Sequence, residues 1–284
     1  MILNEALKSA SRALSAAKID DALIEAELLL CHTLGISKTQ IYSEPERMLT
    51  QEEMSNLQQL MQRRLLREPT AYIFEYCRFY GIDFYIDSRA FIPRPETELL
   101  VEKAIEFAKQ RFPSGNQFTI ADIGTGCGAI AISLALALPQ AKIYATDISA
   151  SALQVADMNC QCHKLDGQVE LLDGDLLEPL PQPVDMVVAN LPYIKDCELK
   201  TLSPEIINFE PMIALAGGEY GLDKVHQLLY HVAEKIRPEG CLLLEIGQEQ
   251  DKAATSLISS YLPQASIEII PDMGGINRVV KAAF

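Results

Sequence analysis

Four consecutive residues, Asn190-Leu191-Pro192-Tyr193, carry the most specific chemistry in the sequence. They follow the apolar run VDMVVAN, and in open α/β sheets ligands bind at the carboxyl ends of such strands. An amide or exocyclic amine nitrogen is planar and its lone pair is delocalised. Methylating it from a sulfonium donor therefore depends on holding it in line with the methyl group. The Asn190 side-chain carbonyl and a neighbouring backbone carbonyl can accept its two N–H bonds, which fixes the nitrogen and favours electron density on it. Tyr193 can stack on the planar group and Pro192 stiffens the loop. Asn and Pro are also ordinary turn residues, and the competing reading is a plain β-turn.

A second constellation, Asp122-Ile-Gly124-Thr125-Gly126-Cys127-Gly128, lies between an apolar strand and an apolar helix. Glycines let such a turn bend tightly and let a ligand lie against bare backbone. The spacing is G-x-G-x-G, unlike the G-x-G-x-x-G of dinucleotide binders, and no Lys-Ser/Thr pair follows as in a phosphate-binding loop. Asp147 stands nineteen residues beyond Gly128, at the end of the next strand. A carboxylate there can accept hydrogen bonds from both ribose hydroxyls of an adenosyl group. A dehydrogenase would also place an acid here, and with Ser149 following, a helix cap is the alternative. Asp175, after Gly174, is placed to contact an adenine edge.

These residues need a frame. Leu3, Ala6, Leu7, Ala10, Ala13 and Leu14 recur at helical spacing. Asp20 is a candidate cap for a second helix that stops at Gly35. Thr50 and Glu53 form a capping box that opens a third helix running to about Arg67 and stopped by Pro69. Residues 1–70 thus read as a helical domain. Aromatic and β-branched residues around Gly81 predict a β-hairpin linker over 71–90. Pro93 and Pro95 break the chain, and Pro95, Glu96 and Glu98 suit the first turn of a helix. From about 118, strands FTIADI, KIYATD, QVELL, VDMVVAN, CLLLEI, SIEII and NRVVKA alternate mostly with helices, which implies a largely parallel sheet covered on both faces. The link 271–276 is too short for a crossover helix, so the final two strands should pair antiparallel. The expected fold over 91–284 is α/β: a Rossmann-like, class I methyltransferase sheet of seven strands with an antiparallel last strand.

Composition narrows the partners. The formal net charge of the 284 residues is -15, which weighs against a nucleic-acid substrate, because such binding draws on neutralised phosphates. Arg63, Arg64 and Arg67 read as a solvated helix face. The seven cysteines are scattered, and Cys160-Gln-Cys162-His163 lacks a second pair at zinc spacing, so reduced structural thiols and no metal are expected. The stretch Ile130–Leu138 is too short to span a bilayer. A cytoplasmic monomer that binds neither membrane nor nucleic acid is the expectation.

At these residues the chain resembles the peptide chain release factor glutamine methyltransferases, the HemK/PrmC family, over nearly its whole length. Ile92-Pro-Arg94-Pro-Glu96-Thr-Glu98 looks like the family's proline-arginine motif, and 122–128 and 190–193 like its cofactor loop and catalytic tetrapeptide. The segments 209–218, Gly221-Leu222, Glu245-Ile-Gly-Gln248 and Asp272…Gly275…Arg278 also fit. The resemblance implies methyl transfer from S-adenosyl-L-methionine to the glutamine of the Gly-Gly-Gln motif of class I release factors, with the N-terminal domain helping to dock them. It implies that Asn190, with Tyr193, holds the glutamine beside Leu191 and Pro192. It further implies that Gly124, Thr125, Gly126, Cys127, Gly128, Asp147 and Asn190 contact the cofactor, and that Phe91, Arg94 and Glu96 line the cleft mouth.

Three positions depart from the family pattern. Leu191 replaces the first of two prolines, Tyr220 stands where Asp is frequent, and Leu176 occupies the site of an adenine-stacking aromatic. The Asn-Leu-Pro-Tyr form is also similar to that of rRNA adenine dimethyltransferases. The alternatives are therefore methylation of another protein glutamine or of an adenine amine in RNA or DNA. More distant are an NAD-dependent dehydrogenase, disfavoured by the glycine spacing, and a non-catalytic adaptor.

Overall fold

The computed structural model describes residues 1–112 and 116–284. It divides into two compact units: Met1–Tyr76 with Ser203–Phe209, and Cys77–Leu202 with Glu210–Phe284.

The first unit holds α1 (Leu3–Ala16), α2 (Ala22–Leu34), α3 (Lys38–Ser43), α4 (Gln51–Leu65) and α5 (Thr70–Phe74). Helical spacing puts Leu3, Leu7 and Leu14 on one buried face, where they meet Leu29, Leu30, Ile41 and Leu57. Burial of each such side chain contributes roughly 2 kcal/mol. Gly35 ends α2 in the left-handed region, and the Thr50–Glu53 capping box opens α4, with reciprocal bonds of 2.8 and 3.1 Å. Asp20 does not cap α2. Asp21 occupies that position, itself at a φ of 50°, and makes no side-chain cap. Periodicity alone missed α3, whose six residues are too few for it; a Ser37–Gln40 capping box starts the helix.

A short helix later in the chain, Pro204–Phe209, completes this unit. It corrects the reading of the three arginines as a solvated face. Arg64 is buried and donates to Glu25 at 3.1 Å and to Glu205 at 3.1 Å. Arg67 donates to Glu205 at 2.8 Å and to the carbonyls of Ala17 and Lys18. Arg63 pairs with Glu68. Arg64 and Arg67 thus bind carboxylates far away in the chain, while Arg63 binds one just beyond the end of α4.

The second unit opens with a hairpin shorter than the 71–90 span, because α5 takes its first residues. The hairpin consists of β1 (Cys77–Phe79) and β2 (Ile82–Phe84), with Phe79 and Phe84 buried. A single 3₁₀ turn, Pro95–Thr97, leads into α6 (Glu98–Arg111). Then come β3 (Phe118–Ile123), α7 (Ala129–Ala137), β4 (Ala141–Asp147), α8 (Ala150–Cys162), β5 (Val169–Asp173) and β6 (Val184–Ala189). After the excursion through Pro204–Phe209 (α9) follow α10 (Asp223–Lys235), β7 (Ile236–Glu245), α11 (Asp251–Tyr261), β8 (Ser266–Pro271) and β9 (Asn277–Ala283).

The seven-stranded sheet runs β5-β4-β3-β6-β7-β9-β8. Strands β3 to β7 are parallel neighbours, while β9 runs antiparallel to both β7 and β8. Every residue of β3 is buried, as a central strand covered on both faces requires. The strand order reverses between β3 and β6, so a crevice opens at their carboxyl ends. Both the glycine turn and the tetrapeptide start there.

Candidate active site

The turn after β3 is built to stay open. Gly124 and Gly126 have φ values of 73° and 58°. The N–H groups of Gly124 and Thr125 both donate to the Thr146 carbonyl at 2.9 Å, tying the turn to β4. The fully buried Asp122 carboxylate accepts from Thr125 Oγ1 at 2.6 Å and from Ala131 N at 3.1 Å, joining the turn to α7. Its Oδ1 has no hydrogen-bond partner, and burial raises its pKa to about 7. Sequence reasoning used Asp122 only to mark the loop's start.

Asp147 accepts from Gly126 N through Oδ2 and from Ser149 N through Oδ1, each at 2.8 Å. Burial raises its pKa, and those backbone N–H groups work against the rise. Capping of α8 falls to Ser149, whose Oγ accepts from Ala152 N at 3.2 Å. Asp175 lies 3.7 Å from Lys224 Nζ. Leu176 has a φ of 48°, and its carbonyl accepts from Thr146 Oγ1 at 2.9 Å.

The tetrapeptide leaves β6 on the other side of the crevice. Asn190 Nδ2 donates to Thr97 Oγ1 at 3.0 Å. Leu191 is buried in the sheet's core, and a Cβ added to Gly124 would lie 3.3 Å from its Cδ2. Leu191 thus wedges the tetrapeptide against the glycine turn. The Tyr193 hydroxyl donates to Glu245 Oε1 at 3.3 Å, and burial first, then Glu245, keeps that hydroxyl from ionising.

The Tyr193 carbonyl accepts from Gln250 Nε2 at 2.9 Å. A Cβ at Gly221 would come within 2.3 Å of that same carbonyl oxygen, so the close approach requires glycine. Bonds Ile194 N to Leu215 O (3.1 Å) and Gly217 N to Ile194 O (2.8 Å) clip the exit of the loop to the segment before α10. Tyr220 is exposed, and nothing in the structure explains its departure from Asp.

A cleft of about 250 Å³ joins the two sides. Its walls bring together Phe91, Gly124, Thr125, Gly126, Cys127, Asp147, Asp175, Leu176, Asn190, Leu191, Pro192 and Tyr193. Three expected residues stand outside that wall. Gly128 sits at the N-cap of α7, with a φ of 85°, where it packs toward Ile132 and Ala156. Glu96 is exposed on the 3₁₀ turn. Arg94 lies 4.5 Å over the Phe91 ring and donates to the buried Glu210, whose pKa is raised by burial and pulled back by Arg94. Arg94 thus braces the mouth through Phe91.

Thr97, Glu245, Gln250 and Glu210 escaped the sequence reading as site residues. Glu245 and Glu210 were visible only as members of motifs without a role. Among the described residues no group of three His, Cys, Asp or Glu side chains converges as a metal site.

The cleft fits an adenosyl sulfonium compound. Ile130, Ile148, Leu191 and Leu215 supply apolar walls, Asp147 a carboxylate, and the glycine turn bare backbone. Both cations in the wall already face carboxylates, Arg89 at Asp87 and Lys224 at Asp175, which suits a ligand without phosphates. Fold and cleft together define a class I S-adenosyl-L-methionine-dependent methyltransferase.

Comparisons refine this class. Residues 5–74 match the PrmC N-terminal domain and residues 97–233 the methyltransferase small domain. The release factor glutamine methyltransferase of Koribacter versatilis (strain Ellin345) is 36% identical over 99% of this chain and 98% of its own. That of Moorella thermoacetica is 38% identical over 99% of this chain and 98% of its own. The chain belongs to the release factor glutamine methyltransferase family. Among solved structures, the hMettl16 catalytic domain in complex with MAT2A 3'UTR hairpin 6 matches with a TM-score of 0.56 at 15% identity, covering 72% of this chain and 76% of its own. A methyltransferase from Pyrococcus furiosus gives 0.50 at 16%, covering 72% and 89%. These two likenesses concern the fold alone. Among the described residues no helix is long and apolar enough to cross a membrane.

Proposed function

We propose that this chain methylates the side-chain amide nitrogen of the glutamine in the Gly-Gly-Gln motif of class I release factors. The observation that carries the reading is that Asn190 and Tyr193 share one cleft with the glycine turn and Asp147. When bound, S-adenosyl-L-methionine supplies a methyl group on a positively charged sulfur. Gly124, Thr125, Gly126, Cys127 and Asp147 would hold it, with Asp175 and Leu176 at the adenine end.

Asn190 Oδ1 accepts one N–H of the substrate amide, and a backbone carbonyl of the tetrapeptide accepts the other. Tyr193 covers the amide plane, and Leu191 and Pro192 keep the loop in place. Because the hydroxyl of Tyr193 is held protonated, it does not act as a base. Acceleration comes from orienting the nitrogen and from carbonyl dipoles aimed at its N–H bonds. The acidic balance of the chain favours a protein substrate over RNA. The enzyme acts as a monomer in the cytoplasm, where release factors work.

Incubation with labelled S-adenosyl-L-methionine and either a class I release factor or rRNA tests this. Label in the release factor is expected; label in RNA alone overturns the reading.

A further inference from the structure

Hydrogen bonds and one ion pair join the tetrapeptide and two other chain segments into a closed ring. Asn190 Nδ2 donates to Thr97 Oγ1 at 3.0 Å, which ties the start of the tetrapeptide to the proline-arginine segment. Just before Thr97, Arg94 donates to the buried Glu210 carboxylate. From Glu210 the chain returns to the exit of the tetrapeptide. There Ile194 N donates to Leu215 O at 3.1 Å and Gly217 N donates to Ile194 O at 2.8 Å.

Each segment of the ring gives residues to the cleft wall: Phe91 and Thr97 from one, Pro211 and Ile213 from the second, and 190–194 from the third. The glycine turn and Asp147 belong to other loops, after β3 and β4. The stretch 210–217 holds only a 3₁₀ turn, Met212–Ala214, so its position depends on what fastens its two ends. The bridge between Ile194 and Ala216 fastens one end, and the Arg94–Glu210 pair the other.

Arginine suits this junction. Its planar guanidinium binds the carboxylate and also lies 4.5 Å over the Phe91 ring, so one side chain locates the lip after Glu210 and the aromatic on the other segment. A buried ion pair adds little net stability over apolar groups of like volume, so what this pair contributes is geometry.

We infer that Glu210 is a positioning residue for the acceptor: through Arg94 it closes the ring and fixes Phe91 and the Pro211–Leu215 lip around the incoming glutamine, while donor binding is left to the glycine turn. The inference rests on the transfer reaction proposed above and assigns that reaction a further residue.

The test compares Glu210→Gln, Arg94→Met and the double variant with the wild-type protein. Glu210→Gln keeps the shape and removes the charge that holds Arg94. In either single variant we expect KM for a class I release factor to rise about tenfold, with the calorimetric Kd for S-adenosyl-L-methionine changed by less than about twofold. One break opens the ring, so the double variant should be no worse than the single ones. Additive losses, an unchanged KM, or a donor Kd that weakens in step with KM would overturn the inference. Arg94→Met alone carries every readout but additivity if Glu210→Gln does not fold.

Amide hydrogen exchange reads the ring without turnover. The Ile194 and Gly217 amides should be protected in the wild type and exchange at least about tenfold faster in the single variants, with the amides of β3 changed far less. A wild type that shows this pattern of protection, loses it in the variants and transfers no methyl to the release factor would discard the substrate reading and keep the ring. Wild-type exchange at Ile194 and Gly217 in the variants, or an acceleration that reaches β3 equally, would overturn the ring.

Discussion

Gln250 Nε2 donates to the Tyr193 carbonyl oxygen over 2.9 Å, although 57 residues separate them in the chain. The same amide nitrogen reaches the Gly221 carbonyl at 3.3 Å, while its Oε1 accepts from Gly247 N at 2.8 Å. One buried side chain before α11 therefore fastens the tetrapeptide, the glycine segment before α10 and the end of β7.

Gln250→Ala removes all three bonds and leaves the Tyr193 and Gly221 carbonyls and the Gly247 N–H without this partner. The expected loss is about 2–3 kcal/mol in unfolding free energy, read by urea denaturation. KM for the release factor should rise as Tyr193 loosens. An unchanged denaturation midpoint would contradict this.

Leu191 should matter more by packing than by polarity. Leu191→Ala opens space in the sheet core beneath Gly124, with an expected cost of about 3 kcal/mol. The Kd for S-adenosyl-L-methionine should rise, because the glycine turn loses its wedge. A calorimetric Kd equal to wild type would show that the turn holds its shape alone.

Glu245 makes the stability of the fold depend on pH. Burial raises its pKa to about 7, while Thr97, Tyr193 and Arg278 lower it and Glu96 raises it. Between the ordinary value of 4.5 and about 7 the folded state binds the proton more tightly than the unfolded state, so unfolding free energy falls as pH rises. The loss from this group is about 3 kcal/mol at most, and Glu245→Gln should reduce the slope. A variant with the wild-type slope would assign it to another group, such as Asp122.

Arg64 is the electrostatic centre of the helical unit. Arg64→Met leaves Glu25 and Glu205 facing each other's charge with less compensation. The expected cost is about 3 kcal/mol, seen as a lower Tm for the transition of that unit. Restoring the Tm with Glu205→Gln in the same protein would confirm the cause; an unchanged Tm in Arg64→Met alone would refute it.

Much of the fold could be read from periodicity. All seven strands of the large sheet stand at the runs named from sequence, because a buried sheet demands continuous apolar segments such as FTIADI and VDMVVAN. The turn at 272–276 was short enough to fix the antiparallel ending. The shortest helices, α3, α5 and α9, were missed because five or six residues are too few to show a helical period. Arg64 was misread because its partners Glu25 and Glu205 lie 39 and 141 residues away. The cleft residues that touch ligand-sized space were legible, since glycine turns and the tetrapeptide have local signatures. Thr97, Glu245 and Gln250 were not, because their task is to hold Asn190 and Tyr193 from distant strands and turns. Chain spacing carries no trace of such contacts.

The most direct measurement is fragment mass spectrometry of a class I release factor after incubation with S-adenosyl-L-methionine and either wild-type protein or Asn190→Ala. One added methyl on the glutamine of Gly-Gly-Gln is expected with the wild type, and at least about 100-fold slower with Asn190→Ala. Methylation at another residue, or at the same rate without the Asn190 side chain, would contradict it.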